Sequence, residues 1–71
     1  MAVTSAALQA ELGTGIGAPR ILMAFEPSQG TGQQWLIHGG VTYPGRVRFV
    51  NTTAADNAAT QAAAVVTALL A

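Results

Sequence analysis

The sequence predicts an α+β fold, with a small antiparallel or mixed three-stranded sheet, a short N-terminal helix and a longer amphipathic C-terminal helix. Three observations support this prediction. Two leucines at helical spacing lie near the start, three apolar extended segments alternate with Gly- and Pro-rich stretches, and an alanine-rich segment of helical periodicity comes last. The chain has 71 residues, which is the length of one small domain over residues 1–71.

The first helix is predicted in the segment TSAALQAEL, which begins at Thr4. Thr4 or Ser5 can cap its first amide groups, and Leu8 and Leu12 lie on one face of the helix. Gly13 follows, at a position where glycine commonly ends a helix. Because so short a helix is unstable alone, we expect it to dock on the rest of the fold.

The first strand is predicted in RILMAFE, residues 20–26. Its apolar side chains fall on both sides, with Ile21, Met23 and Phe25 on one side and Leu22 and Ala24 on the other. Apolar residues on both sides are typical of a strand that is buried on both faces. We therefore expect this strand to be central in the sheet or covered on both sides.

Two further strands are predicted in QWLIHGG and RVRFVN. In the first, Trp35 and Ile37 share one face, and Leu36 and His38 share the other. In the second, Val47 and Phe49 alternate with Arg46, Arg48 and Val50. This alternation is typical of a strand with one buried face and one face that solvent or a partner can reach. The dipeptide Pro44-Gly45 before it suits the centre of a type II turn.

The second helix is predicted over residues 53–71, where Thr53 and Asp56 resemble a capping box. The apolar residues of this segment fall within an arc of ~160°, which starts with alanines and ends with larger side chains such as Leu69 and Leu70. The opposite side is predicted to be polar and consists of Asp56, Asn57, Thr60, Gln61 and Thr67.

Charge and cysteine content exclude several classes of protein. Only 8% of the residues are charged, the formal net charge is zero, and the chain contains no lysine and no cysteine. An ordinary soluble domain has about 25% charged residues, and a nucleic-acid-binding domain has a basic patch. We therefore expect no nucleic-acid partner and no disulfide. One histidine and three acidic residues are too few for a metal cage built by the protein alone, so we expect no metal and no cofactor.

The sequence also gives no sign of a membrane segment. The last ten residues, AAAVVTALLA, are apolar, but a bilayer span needs about 20 residues. The first residues lack the positive region and the apolar core of a signal peptide. We therefore expect synthesis in a cytoplasm and no contact with a membrane.

Two features could carry chemistry. The segment GTGIGA, from Gly13 to Ala18, contains three glycines, but it follows a predicted helix and precedes a predicted strand. A dinucleotide-binding loop has the reverse order, so the segment is interpreted as a flexible joint. His38 is the one candidate general base, and no acid or nucleophile lies at a local spacing from it; Glu11, Glu26 and Asp56 could approach it only through the fold. We expect no enzyme activity and no small-molecule substrate.

The candidate interface residues are Trp35, Arg46, Arg48, Leu69 and Leu70. Arginines close to aromatic residues are typical anchors of protein interfaces, although the two arginines could equally form a solvated face. Trp35 is either the anchor of the core or a plug in a neighbouring subunit. Leu69 and Leu70 belong either to an internal core or to a seam between subunits.

The short length, the lysine-free composition rich in Ala, Gly and Thr, and the apolar segment NAATQAAAVVTALLA resemble those of short virion proteins of tailed bacteriophages. These include capsid decoration subunits and head-tail or tail accessory subunits. The resemblance concerns the character of the chain and transfers no site residue. It implies a structural subunit that is assembled in the host cytoplasm and that associates with copies of itself or with other structural subunits. The alternative is a small adaptor or regulatory module that binds a protein in a bacterial cytoplasm.

Overall fold

The computed structural model describes residues 3–25 and 32–71. In chain order it contains α1 (Ser5–Leu12), β1 (Arg20–Phe25), β2 (Gly32–His38), β3 (Val47–Thr53) and α2 (Ala58–Leu70). The strands form one antiparallel sheet in the order β1-β2-β3, and both helices pack against the same face of it. The predicted α+β class is therefore confirmed, and the sheet is antiparallel rather than mixed.

The first helix begins where the sequence predicts. The Thr4 side chain accepts a hydrogen bond of 3.1 Å from the backbone N–H of Ala7, and Gly13 ends the helix with a φ of +105°. The turn before β3 also agrees with the sequence. Gly45 has a φ of +72°, and the N–H of Arg46 donates to the carbonyl of Tyr43 across Pro44-Gly45 at 3.4 Å.

The second helix begins later than predicted. The capping-box prediction at Thr53 is wrong, because Thr53 is the last residue of β3 and is paired with Gly32. A turn follows, and the side chain of Asn57 caps the helix by accepting a hydrogen bond of 2.8 Å from the N–H of Thr60. An asparagine at this position satisfies an amide group that has no partner within the helix.

The hydrophobic core lies between the helices and one face of the sheet. The sheet contributes Trp35, Ile37 and Val50, and the helices contribute Leu8, Ala62, Val65 and Leu69, with Val3 beside them. α1 packs against α2 and β1, and α2 packs against β3. Both helices therefore bury their apolar sides against this single face, and neither helix of the described residues lies on the other face of the sheet.

Two buried glutamines connect the N-terminal segment, β2, β3 and α2 through hydrogen bonds. Gln33 and Gln61 are 0% and 1% exposed, although Gln61 was predicted on the polar side of its helix. The amide oxygen of Gln61 accepts from the indole N–H of Trp35 and from the hydroxyl of Thr52, both at 2.9 Å. Its amide nitrogen donates to the amide oxygen of Gln33, also at 2.9 Å. Burial of these polar groups is tolerated because they are paired with one another.

Gln33 extends this network to the N-terminal segment. Its amide oxygen accepts from the backbone N–H of Val3 at 3.2 Å, and its amide nitrogen donates to the carbonyl of Val3 at 2.6 Å. A third glutamine, Gln9, acts in the same way at the other end of α1. It donates to the carbonyls of Gly13 and Pro19 and accepts from the N–H of Ile21 at 3.2 Å. The amides of Gln33 and Gln9 thus bind backbone groups of Val3, Gly13, Pro19 and Ile21.

The first strand differs from its prediction. β1 is an edge strand, and the described part of the chain covers only one of its faces, so the expectation of a central or doubly covered strand is wrong. The register of β1 on β2 shifts between Ile21, which pairs with Ile37, and Met23, which pairs with Leu36. Leu22 is the extra residue of this β-bulge. Apolar residues on both sides of β1 therefore reflect one core face and one uncovered apolar face.

Candidate protein-interaction surface

The face of the sheet that points away from the helices carries large apolar side chains from all three strands. We call it the open face, and it consists of Leu22, Met23, Phe25, Leu36, Val47 and Phe49, with the polar residues Gln34, His38 and Asn51 among them and the charged Arg20, the partner of His38, at one end. Leu22, Met23 and Phe49 are 54%, 52% and 53% exposed. Apolar side chains normally occupy this side of a strand only when something covers them.

The strand register brings the apolar residues of the open face together. Met23 on β1, Leu36 on β2 and Phe49 on β3 are successive partners across the sheet and form a row through its middle. The rings of Phe25 and Phe49 come from the two edge strands and meet edge to face, with their centroids 5.5 Å apart and their planes at 62°. The open face is therefore one continuous apolar surface with aromatic rings near its centre.

The charged side chains in the described part of the chain lie at the margin of this surface or away from it. Arg20 pairs with His38 at one end of the sheet, and its guanidinium donates to the carbonyls of Thr14 and Gly15. The middle row of the open face contains a methionine, a leucine and a phenylalanine. The middle rows of two such surfaces can therefore meet without placing like charges in contact.

Of the five predicted interface residues, the structure buries two in the core and leaves the other three at least partly exposed. Trp35 and Leu69 are fully buried in the core, so they belong to the interior of this chain rather than to its surface. Leu70 is 64% exposed on α2. Arg46 and Arg48 both donate to the main-chain oxygen of Ala71 at the C-terminal end of α2. Cations at this end of a helix are favourable because the helix dipole is negative there.

The glycine-containing segment between α1 and β1 packs against the loop that follows β2. The carbonyl of Gly17 accepts hydrogen bonds from the N–H of Val41 at 2.8 Å and from the N–H and the hydroxyl of Thr42, each at 3.1 Å. Gly40 has a φ of +66°, and a side chain there would collide with the Gly17 carbonyl. The observed order is helix, glycines, strand, as the sequence predicts for a joint.

His38 lies at the end of β2 and is exposed. Its Nδ1 accepts a hydrogen bond of 2.9 Å from the backbone N–H of Gly40, so the ring closes the turn after the strand. Glu11 lies on α1 and Asp56 lies in the turn before α2. Glu26 is outside the described residues.

The described residues offer no enclosed site for a ligand. No ligand-sized pocket is found in residues 3–25 and 32–71, and no group of three metal-binding side chains comes together there. Neither α1 nor α2 has the length and apolar character that crossing a bilayer requires, and this holds for all the described residues. The open face is thus the most distinctive surface of the described chain.

Comparison of the chain with family models, with curated proteins and with solved structures found no match. The candidate site therefore depends on the geometry of the chain alone. Sequence reasoning missed the open face as a surface, although the signal was present. The signal is that both sides of β1 are apolar and that Val47 alternates with arginine along β3. The side that the helices cover, however, depends on the register of the strands and on the β-bulge.

Proposed function

We propose that this protein is a non-enzymatic structural or assembly subunit that works through protein–protein contacts, with the open face as its contact surface. The observation that carries this proposal is the uncovered row of Met23, Leu36 and Phe49 across the sheet. From the exposed fractions of its side chains, the apolar part of the open face has an area of about 450 Å². The largest apolar patch on a typical monomer is ~300–600 Å² and often has a function.

The size of the molecule makes this patch more significant. The whole surface is 4144 Å², so about a ninth of it is the apolar part of one face. The low content of charged residues and the net charge of zero fit a subunit whose surface is covered by neighbours, because a free monomer with such a surface tends to associate. The chain's resemblance to short virion proteins of tailed bacteriophages favours a capsid decoration or tail accessory subunit as the setting of this assembly.

A second candidate function, a small adaptor in a bacterial cytoplasm, is favoured by a different observation. β1 and β3 are the edge strands of the sheet, and a peptide could pair with either as an additional strand. In that case the backbone of the edge strand would be covered, and the open face would stay exposed. The two functions therefore differ in which part of the sheet is protected in the working complex.

Oxidation of Met23 tests the proposal in the native setting. Met23 is half exposed in the middle row of the open face, and the thioether of an accessible methionine is oxidised by peroxide. Complexes isolated from the source cells under native conditions are treated with dilute hydrogen peroxide. The same protein, purified and highly diluted, serves as the control, and peptide mass spectrometry gives the rate at Met23 in both samples.

We expect oxidation of Met23 to be several-fold slower in the native complex than in the diluted protein. Equal rates would mean that the open face is free in the working state and would overturn the proposal. Equal rates combined with slower amide hydrogen exchange along β3, at residues such as Arg48 and Val50, would favour the adaptor function instead.

A further inference from the structure

We infer that the occupant of the open face is a second copy of this chain, packed sheet against sheet around a two-fold axis. This inference rests on the proposed function and names its partner. The resulting dimer has four layers, with the two sheets inside and the helix pairs outside. The middle row of Met23, Leu36 and Phe49 from each copy lies in the centre of the interface.

The area of the open face matches what a stable dimer needs. Its apolar part is about 450 Å². The polar side chains among the apolar ones, of which Asn51 and His38 are exposed and Gln34 is half-buried, raise the face to ~600–700 Å² for each copy. A dimer would then bury ~1,200–1,400 Å² in total, at the lower end of the range for stable interfaces.

The chemistry of the face also fits a second copy. Two-fold symmetry places the same patch on both sides of an interface, so a charged patch would repel itself. The middle row carries no charge, and the nearest described cation, Arg20, is engaged at the end of the sheet by the carbonyls of Thr14 and Gly15. The middle row can be covered by an uncharged apolar surface, and the open face of a second copy is such a surface.

The shape of the face supports the same arrangement. Two sheets pack face to face when their twists match, at about −30° and ~10 Å apart, and two copies of one sheet have the same twist by identity. The edge-to-face pair of Phe25 and Phe49 lies over β2, near the centre of the contact. Aromatic side chains at the centre of an interface, with polar residues around them, are typical of stable interfaces.

The test measures the mass of the purified full chain by light scattering over a hundredfold range of concentration. The chain has a mass of 7.2 kDa, so we expect a shift toward twice that value at high concentration. Phe49→Asp places a charge in the middle row and should keep the protein monomeric. Leu70→Asp is the matched control, because Leu70 is also an exposed apolar residue but lies on α2, and this variant should dimerise like the wild type. Emission of the buried Trp35 confirms that each variant is folded.

If Phe49→Asp fails to fold, Met23→Glu on β1 makes the same test from the other edge of the row. A wild-type protein that stays monomeric throughout the range overturns the inference. So does a dimer that Leu70→Asp dissociates and the two open-face variants do not. If the purified chain is monomeric but Met23 is protected in the native complex, the second copy is wrong while the proposed function stands. If Met23 is unprotected in the native complex, both fail.

Discussion

Replacing Gln61 with methionine tests the claim that buried glutamines hold the core. Methionine has nearly the same length and volume but no amide, so the variant removes hydrogen bonds and leaves packing nearly unchanged. The variant loses three bonds of 2.9 Å, to Trp35, Thr52 and Gln33. It also loses two longer ones, from the amide nitrogen to the carbonyls of Thr53 at 3.2 Å and Asp56 at 3.4 Å. Trp35, Thr52 and Gln33 each keep another hydrogen bond, so loss of the three short bonds costs the net value of about 1 kcal/mol for each.

The added apolar surface of methionine offsets part of this loss and leaves a destabilisation of about 2 kcal/mol. The whole protein, at 71 residues, is expected to be stable by ~4–10 kcal/mol, so this is a large fraction. In a domain of this size, the corresponding fall in Tm is about 8–16 °C. Guanidinium and thermal unfolding, followed by the fluorescence of Trp35 at a fixed protein concentration, measure both quantities.

Thr67→Val is the control for this experiment. Thr67 lies on the same helix, is exposed, and its hydroxyl donates to the carbonyl of Ala63 at 3.0 Å. Loss of an exposed hydroxyl should change the stability by less than about 0.5 kcal/mol. If Gln61→Met melted within a few degrees of the wild type, as the control should, the glutamine network would contribute nothing and the reasoning would be refuted.

Three further predictions follow from local geometry. Asn57→Ala removes the cap of α2 and should lower the free energy of unfolding by about 1 kcal/mol in chemical denaturation; an unchanged midpoint would contradict this role. Gly40→Ala forces a side chain onto the Gly17 carbonyl at a φ of +66° and should cost at least ~1 kcal/mol, with faster hydrogen exchange in the loop after β2; wild-type exchange there would count against the loop packing. In the double variant Arg46→Ala/Arg48→Ala, amide exchange in the last turn of α2 should be faster, because both side chains donate to the main-chain oxygen at the end of that helix. Global stability should change by less than about 1 kcal/mol. Unchanged exchange in the last turn would show that the arginines do not stabilise it.

Much of the fold could be predicted because it depends on local signals. Thr4 caps α1, Gly13 ends it, and Pro44-Gly45 forms the turn before β3. These features depend on the preferences of a few neighbouring residues, which the sequence displays directly. The same reasoning placed the start of the second helix at Thr53, because a threonine with an acid three residues later is a good cap when no strand competes for it.

The remaining features depend on partners that are distant in the sequence. The helical pattern places Gln61 on the polar side of α2. It is buried because Trp35 and Gln33, which are distant in the sequence, supply hydrogen-bond partners for its amide. The bulge at Leu22 and the exposure of the Phe49 side chain depend on the strand register and on which face of the sheet the helices cover. The interface predictions at Trp35 and Leu69 fell on core residues because large apolar side chains suit either place. The sequence therefore shows that the strands have more apolar residues than one core face needs, but it does not show which of them stay uncovered.

The central claim, that the open face is a contact surface for a second copy, is tested most directly by methyl NMR of the purified chain in a dilution series. We predict that the methyl signals of Leu22, Met23 and Leu36 shift together with concentration, while those of Leu69 in the core and Leu70 on α2 stay in place. Signals that do not change with concentration, or changes centred on Leu70, would contradict the claim.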